Sequence, residues 1–223
     1  MLKVGHRGAS AYEPENTLRS FGKALELGVD AIEFDVRRTR DGRITVIHDA
    51  DVERTTNGKG LVSHLSIEDI KKLTTQKGET LPTLEEALDF LDRKTKILIE
   101  LKEKGLEESV LEEIRRRGLE KNVILISFHE EALKKGRELS SEVETGLIYV
   151  RHKDPVRVAL DLRAQYLVAL YRFVHTADVR KAHENGLKVI VWTINRKGEV
   201  PEYVKKGVDG IASDKPDILN IAG

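Results

Sequence analysis

The sequence contains no cysteine, one methionine and only 5% aromatic residues. The lack of cysteine excludes a disulfide framework and thiolate chemistry, and it is compatible with a reducing compartment. The 38 basic and 38 acidic side chains cancel, which argues against broad electrostatic capture of nucleic acid or of an anionic membrane surface. Any site for an anion must therefore be local.

Long apolar runs are also missing. No run approaches the roughly 18 residues that a membrane span requires. The first residues, from Met1 to His6, lack the apolar stretch of a secretory signal. No stretch rich in Gly, Ser or Pro divides the chain, so residues 1–223 are predicted to form a single domain. We expect a soluble, cytoplasmic protein without stable membrane insertion, and no pattern indicates its oligomeric state.

Short β-branched runs recur along the chain and alternate with amphipathic helical patterns. The predicted strands are 2–5, 31–36, 96–101, 122–128, 145–150, 166–170, 188–193 and 210–213. The predicted helices are 18–28, with Asn16 as the N-cap, and 84–91, 107–117, 130–139, 155–162, 176–185 and 199–206. This alternation predicts an α/β fold, a (β/α)8 TIM barrel. An open doubly wound sheet is the alternative, although no GxGxxG fingerprint follows the first strand.

One segment after the second strand interrupts this alternation. Asp41-Gly42 lies between two extended runs, which is the signal of a two-residue hairpin turn. With these two residues at the turn, the numbers of two residues that face each other across the ribbon add up to 83, so Asp35 faces His48. The stretch from about 49 to 81 is then an insertion with one short helix near 66–73. In a barrel, this hairpin and insertion would lie over the carboxyl-end face, where such enzymes carry out their chemistry.

Three carboxylates are predicted to converge at the carboxyl ends of neighbouring strands. Glu33 and Asp35 are two residues apart on the second strand and share a face, and Glu100 lies near the end of the third barrel strand. Three unpaired carboxylates in one cavity repel strongly, and a divalent cation relieves that repulsion. Ligation by carboxylate oxygens alone favours a hard ion, Mg²⁺ or Ca²⁺, over Zn²⁺.

Four further polar residues belong to the same predicted face. His6 and Arg7 follow the first strand, Lys102 shares a face with Glu100, and His48 joins through the hairpin. A cation together with Arg7 and Lys102 would suit an anionic phosphate group. Each feature alone is also typical of an ordinary loop, an ion pair or a plain hairpin. Their occurrence at successive strand ends favours a catalytic site.

Short motifs follow one another in a fixed order over nearly the whole chain. They are His6-Arg7-Gly8, Pro14-Glu15-Asn16-Thr17, Glu33-Phe34-Asp35-Val36, Asp41-Gly42, His48-Asp49, Arg54-Thr55-Thr56-Asn57-Gly58-Lys59-Gly60, Leu81-Pro82-Thr83-Leu84-Glu85-Glu86, Glu100-Leu101-Lys102, Val191-Trp192-Thr193-Ile194-Asn195, Gly207-Val208-Asp209-Gly210-Ile211 and Ser213-Asp214-Lys215-Pro216. This ordered set resembles the glycerophosphodiester phosphodiesterase family. Ser213 is one departure, since many relatives have Thr at that position.

The resemblance implies a (β/α)8 barrel and roles for individual residues. Trp192 would pack against the glycerol carbons, with a purely structural place in the core as the alternative, and Phe128 is a weaker candidate for the same wall. Glu15 and Asn16 would support the first loop. The resemblance implies that Glu33, Asp35 and Glu100 are the ligands of one divalent cation. It implies that His6 and His48 are the acid–base pair, and that Arg7 and Lys102 bind the phosphate.

The implied reaction is hydrolysis of a glycerophosphodiester, a small molecule, to glycerol 3-phosphate and an alcohol. One histidine removes a proton from the nucleophile, which is water or the glycerol 2-hydroxyl, and the other protonates the leaving alkoxide. Competing interpretations are an isomerase or aldolase on the same barrel, a binding protein without activity, and a lysophospholipase D-like hydrolase. The paired histidines with Arg7 favour phosphodiester cleavage. Because few aromatic residues are present to cage a choline cation, we expect broad tolerance of the head-group alcohol.

Overall fold

Eight parallel strands form a closed barrel in the computed structural model, which describes residues 1–220. β1 pairs with both β2 and β9, which leaves no edge between the first and last strands. The predicted (β/α)8 TIM barrel is thereby confirmed, and the open doubly wound sheet is wrong. In chain order the strands are β1 (Leu2–His6), β2 (Ala31–Arg38), the short antiparallel β3 (Ile44–Val46), β4 (Lys96–Leu101), β5 (Val123–Ser127), β6 (Glu144–Tyr149), β7 (Tyr166–Leu170), β8 (Lys188–Trp192) and β9 (Gly210–Ser213).

Helices fill the connections between these strands. The apolar face of one helix illustrates how they pack: Val110, Leu111 and Ile114 belong to the same buried cluster as Ile97 and Ile99 of β4. None of the helices within residues 1–220 has the length and apolar character needed to cross a bilayer. The helices are α1 (Leu18–Glu26), α2 (Ile67–Lys71), α3 (Leu84–Leu91), α4 (Glu107–Arg116), α5 (Glu130–Leu139), α6 (Pro155–Asp161), α7 (Thr176–Glu184) and α8 (Val200–Lys206).

The predicted N-cap of α1 is wrong by one residue. Thr17 caps the helix, since its hydroxyl accepts a hydrogen bond from the Ser20 N–H at 3.2 Å. Asn16 instead adopts a left-handed backbone conformation with φ of 59°, which Asn tolerates better than most residues. Its buried side chain is turned toward the barrel.

Alternation along the strands explains why polar groups collect at one end of the barrel. Inward positions in the middle of the barrel are apolar and form one cluster, which includes Val4, Ala31 and Leu98. The next inward positions toward the carboxyl end are two residues further along each strand and are His6, Glu33 and Glu100. The pleat therefore stacks a polar layer on an apolar floor.

The hairpin register differs from the prediction by one residue. Val36 pairs with Val46 and Arg38 with Ile44, so opposed positions sum to 82 rather than 83. The loop contains three residues, because Gly42 donates to the Thr39 carbonyl at 3.0 Å and adopts φ of 81°, as in a type I turn that ends in a left-handed glycine. His48 consequently does not lie opposite Asp35, whose carbonyl accepts the Ile47 N–H at 3.0 Å.

The insertion has a small apolar centre of its own. Six buried residues form it: Ile47, Val52, Val62, Ile67, Ile70 and Leu81. The predicted helix near 66–73 is present as α2, and Ser66 and Asp69 form a reciprocal capping box at its start. The Asp41 carboxylate accepts the Ile67 N–H at 3.1 Å and so joins α2 to the hairpin. The single-domain assignment of residues 1–223 stays a prediction.

Candidate active site

The carboxyl ends of β2 and β4 bring three carboxylates together. Glu33, Asp35 and Glu100 each offer one oxygen, and these oxygens all lie within 4.8 Å of one another. Parallel register places Asp35 beside Glu100 and His6 beside Glu33. All three carboxylates are buried, so the convergence predicted from strand alternation is present.

Burial makes it unfavourable for all three carboxyl groups to be ionised at once. It raises the pKa of Glu33 to about 8, with repulsion from Asp35 as the next cause. The same two causes raise the pKa of Glu100 to about 7. Burial also acts on Asp35, but the charges of Arg7 and Lys102 outweigh it and hold the pKa of that carboxyl below its usual value. The set of close, buried carboxylate oxygens can hold a hard divalent cation, whose charge would offset this repulsion.

Two basic side chains already contact the cluster. The Arg7 backbone N–H donates to Glu33 Oε2 at 2.9 Å, and Arg7 Nε lies 3.3 Å from Asp35 Oδ2. Lys102 Nζ donates to Glu100 Oε1 at 2.6 Å and lies 3.6 Å from Asp35 Oδ1. The structure therefore places both predicted phosphate-binding residues beside the predicted metal ligands.

Asn16 contacts the cluster from the first loop. Its Nδ2 donates to Asp35 Oδ2 at 2.9 Å, and its Oδ1 accepts the Asp35 N–H at 3.3 Å. These two bonds fix both the backbone and the side chain of Asp35. Asn16 thus lies within the site as a buried polar support.

His6 is held by a carboxylate at the end of β9. Its Nδ1 lies 2.6 Å from Asp214 Oδ1, and its Nε2 lies 4.0 Å from Glu33 Oε2. Burial opposes ionisation of Asp214, but the His6 hydrogen bond lowers the pKa of Asp214 to about 2. Because that carboxylate only accepts, His6 Nδ1 carries a proton and Nε2 is the nitrogen directed toward the carboxylate cluster. Burial lowers the pKa of His6, whereas the Asp214 bond and the Glu33 charge raise it and prevail.

His48, like His6, has its Nδ1 held by a carboxylate. Its Nδ1 lies 2.6 Å from Asp49 Oδ1, and its carbonyl accepts from Arg37 Nε at 2.8 Å. Burial lowers the pKa of His48, and the charge of Asp35 and the Asp49 bond offset that effect only in part. The strand ends at Val46, so His48 reaches the site from irregular backbone that Arg37 holds in place, not from a ladder position.

An apolar wall completes the cavity, which has a volume of about 190 Å³. Trp192 and Phe128 contact each other edge to face with ring centroids 5.9 Å apart. Trp192 Nε1 donates to the Val168 carbonyl at 3.1 Å, so this ring both packs on the barrel interior and lines the cavity. The polar side of the lining is His6, Arg7, Glu33, His48, Glu100 and Lys102.

Sequence reasoning did not assign the carboxylates that hold the two histidines. Asp49 directly follows His48, and Asp214 directly follows β9, so the strand-end argument used for Glu100 applies equally to Asp214. Asp214 also accepts from Ser10 Oγ at 2.9 Å and from Asn195 Nδ2 at 2.5 Å. The signal that could have identified Asp214 is its place directly after a barrel strand, and for Asp49 it is its place directly after His48.

A closed parallel barrel with its polar groups gathered at the carboxyl ends of the strands is the architecture of a TIM-barrel enzyme. The particular family follows from comparison with known proteins. Residues 6–218 match the model of the glycerophosphoryl diester phosphodiesterase family, and the chain belongs to that family.

Individual relatives agree with this assignment. The chain is 37% identical to a glycerophosphodiester phosphodiesterase from Caldanaerobacter subterraneus, with 98% of this chain and 96% of the relative covered. It is similar to the crystal structure of a glycerophosphodiester phosphodiesterase from Agrobacterium tumefaciens, with a TM-score of 0.87, 29% identity and 97% of both chains covered. A phosphodiesterase from Oleispira antarctica in complex with the product sn-glycerol-3-phosphate has a TM-score of 0.89 and 28% identity, with 97% of this chain and 94% of that chain covered.

Proposed function

We propose that this protein hydrolyses glycerophosphodiesters to glycerol 3-phosphate and an alcohol, with one divalent cation and two histidines. The observation that carries the proposal is the convergence of three buried carboxylates with two imidazoles around one cavity. A similar phosphodiesterase with sn-glycerol-3-phosphate as its product supports the same chemistry for this chain. The expectations of a cytoplasmic location and of no binding to nucleic acid stay predictions.

The charges at the site suit a phosphodiester. Glu33, Asp35 and Glu100, when ionised, exceed the two cations Arg7 and Lys102 by one negative charge. A bound divalent ion would reverse that excess to one positive charge, which matches the single negative charge of a phosphodiester. Carboxylate oxygens favour Mg²⁺ or Ca²⁺, and when bound the ion would supply charge neutralisation at a nonbridging phosphate oxygen.

The protein's own groups would then bind the ester and move protons. Arg7 and Lys102 would hold the phosphate oxygens through charge-assisted hydrogen bonds. His6 and His48 each have Nδ1 on a carboxylate and Nε2 free for proton transfer. One imidazole would take the proton of the nucleophile and the other would protonate the leaving alkoxide.

The apolar wall supports the predicted breadth of head-group tolerance. Trp192 and Phe128 would pack against carbon atoms of the substrate, and only these two aromatic rings line the cavity among residues 1–220. Two rings are fewer than an aromatic cage around a quaternary ammonium group needs. Glycerophosphocholine and glycerophosphoethanolamine should therefore both serve as substrates.

The function is tested by release of glycerol 3-phosphate from these two esters in the presence of Mg²⁺, Ca²⁺ or EDTA. We expect turnover of both esters that disappears in EDTA and returns with one of the ions. Because ligation is by carboxylates, Zn²⁺ should be a poor substitute. Turnover that is unaffected by EDTA after dialysis would contradict the metal-dependent mechanism, and a folded protein without turnover under any condition would contradict the proposed substrate class.

The Asp214 contact gives a separate prediction. Asp214→Ala removes the acceptor that fixes the tautomer and ring orientation of His6, so kcat should fall about 10–100-fold with little change in KM. Steady-state kinetics on glycerophosphocholine would measure both constants. Ser10→Ala is the control: it removes one partner of Asp214 and the Ser10 Oγ bond to the His6 carbonyl, but it leaves the bond between the His6 imidazole and Asp214 intact. It should cost much less. Equal losses in the two variants would contradict a specific role of Asp214 in holding His6.

A further inference from the structure

The insertion contacts the first loop through one half-exposed arginine. Arg54 Nε donates to Asp49 Oδ2 at 2.5 Å. Its Nη1 and Nη2 both donate to Glu15, at 2.8 Å to Oε2 and 2.8 Å to Oε1. The planar fork of the guanidinium thus binds two carboxylates at once, a geometry that a lysine cannot reproduce.

Each of these carboxylates holds a residue of the candidate active site. Asp49 Oδ1 lies 2.6 Å from His48 Nδ1, and Glu15 Oε1 accepts from Arg7 Nη1 at 2.9 Å. A continuous series of charge-assisted bonds therefore runs from Arg7 through Glu15, Arg54 and Asp49 to His48. It joins the loop after β1 to the start of the insertion.

The charges in this series reinforce one another. The Arg54 hydrogen bond is the largest cause that holds the pKa of Asp49 below its usual value. Burial opposes ionisation of Glu15, but the bonds and charges of Arg54 and Arg7 outweigh it and lower the pKa of Glu15. Asp49 therefore stays ionised near neutrality. An ionised carboxylate can accept hydrogen bonds but cannot donate them, so the bond to His48 requires a proton on Nδ1.

We propose that Arg54 is a positioning residue of the active site, which fixes Asp49 so that His48 keeps its proton on Nδ1 and presents Nε2 to the substrate. The role rests on the proposed function, because His48 is there one of the two proton-transfer groups. Glu15 acts as the anchor of Arg54 on the opposite side. Loss of the fork would leave Asp49 free to rotate, and His48 would then populate both tautomers and several ring orientations.

Kinetics of Arg54→Gln test the route through Asp49. We expect kcat to fall about 10–100-fold with KM changed by less than about threefold, as for other groups that orient a reacting residue. Asp49→Asn should give a similar loss, and the double variant should be no slower than the slower single variant, because both changes release the same imidazole. Arg54→Lys should recover little activity. Multiplicative losses in the double variant would overturn the proposal, since Arg54 would then act independently of Asp49.

Arg40→Gln is a matched control. Arg40 is an exposed arginine on the hairpin loop, and its nearest carboxylate is Asp69 at 3.8 Å. This substitution should leave kcat at the wild-type value. A loss equal to that of Arg54→Gln would show that removal of any arginine near the insertion slows the reaction, which would overturn a specific role for Arg54.

A second readout does not depend on turnover. Proton-nitrogen correlation spectra of protein with ¹⁵N-labelled histidine report the tautomer of each imidazole, and His48→Gln identifies the His48 signals. Wild-type His48 should show an Nδ1-protonated ring, and Arg54→Gln should shift its nitrogen signals toward a mixture of tautomers. His48 signals that are identical in wild type and Arg54→Gln would overturn the proposal. If the wild-type protein showed the Nδ1 tautomer but cleaved no glycerophosphodiester, the proposed function would fail and the positioning of His48 by Arg54 would not.

Discussion

Substitution of either active-site histidine by alanine should reduce kcat about 10²–10⁴-fold, the range typical for loss of a general acid or base. His6 and His48 both line the cavity, and each has its Nδ1 on a carboxylate. Neither imidazole contributes to a large apolar cluster, so both variants should remain folded. Rates of glycerol 3-phosphate release and thermal unfolding monitored by circular dichroism would separate loss of catalysis from loss of structure.

A change of leaving group distinguishes the two roles. In a p-nitrophenyl ester of glycerol 3-phosphate, the leaving group is p-nitrophenolate. This phenolate is weakly basic and needs no protonation by an acid. The variant that has lost the acid should recover much of its rate on this ester, whereas the variant that has lost the base should remain slow. His183→Ala is a matched control, since His183 pairs with Asp209 before β9, at the amino end of the strands, and should retain full activity on both esters. A His48→Ala enzyme with normal rates on both esters would contradict the proposed two-histidine mechanism.

His48 was correctly predicted to lie at the site, but the hairpin register from which this was predicted was wrong. The assumed two-residue turn placed His48 opposite Asp35, but the loop has three residues and the register is shifted by one. A shift of one residue reverses the side on which every following side chain points. His48 still enters the site because β3 ends at Val46 and Arg37 holds the following backbone.

Strand alternation, in contrast, predicted the carboxylate cluster for the correct reason. Glu33 and Asp35 lie two residues apart on one strand, and parallel neighbours align their carboxyl ends, so Glu100 had to lie nearby. The period of two is a backbone property, which makes it accessible from the order of residues alone. Closure of the barrel was established by the pairing of β1 with both β2 and β9.

The side-chain contacts between loops could not be predicted from the sequence in this way. Contacts of Arg54 with Glu15 and Asp49 join residues whose relative positions depend on how the insertion folds onto the first loop. No periodicity links these residues, and a half-exposed arginine has many rotamers with similar intrinsic energies. The motif containing Arg54 was visible in the sequence, whereas the partners of its side chain required three-dimensional structure.

Glu33→Gln should abolish most activity and, in the absence of a divalent cation, stabilise the fold. Glutamine has nearly the same shape, and its Oε1 can still accept the Arg7 N–H that Glu33 now accepts at 2.9 Å. The substitution removes one predicted metal ligand, so kcat should fall by more than about a hundredfold at a fixed cation concentration. It also removes a buried carboxyl that, without a cation, must either take up a proton on folding or bear repulsion from Asp35, and both oppose folding.

The pH dependence of the free energy of unfolding tests whether Glu33 destabilises the cation-free fold. In the folded protein, burial raises the pKa of Glu33 from its ordinary value of 4.5 to about 8. Between these values the folded state binds more protons than the unfolded state, so the free energy of unfolding must fall as pH rises, by at most about 1.4 kcal/mol per pH unit for one proton. Urea unfolding in EDTA at pH 5, 7 and 9 should show this fall in the wild type and a smaller one in Glu33→Gln.

Addition of the cation should reverse the order of the two proteins. A divalent ion that binds only the folded state stabilises it by an amount that rises with the logarithm of the ion concentration relative to the dissociation constant. The wild type has the complete set of predicted ligands, so it should gain more than Glu33→Gln. Glu107→Gln is the matched control, because Glu107 is equally buried at the start of α4 but lies outside the cluster. It should not alter the response to the cation. A Glu33→Gln protein that the cation stabilises as strongly as the wild type would show that Glu33 is not a ligand, and the repulsion among the three carboxylates would then require relief from another source.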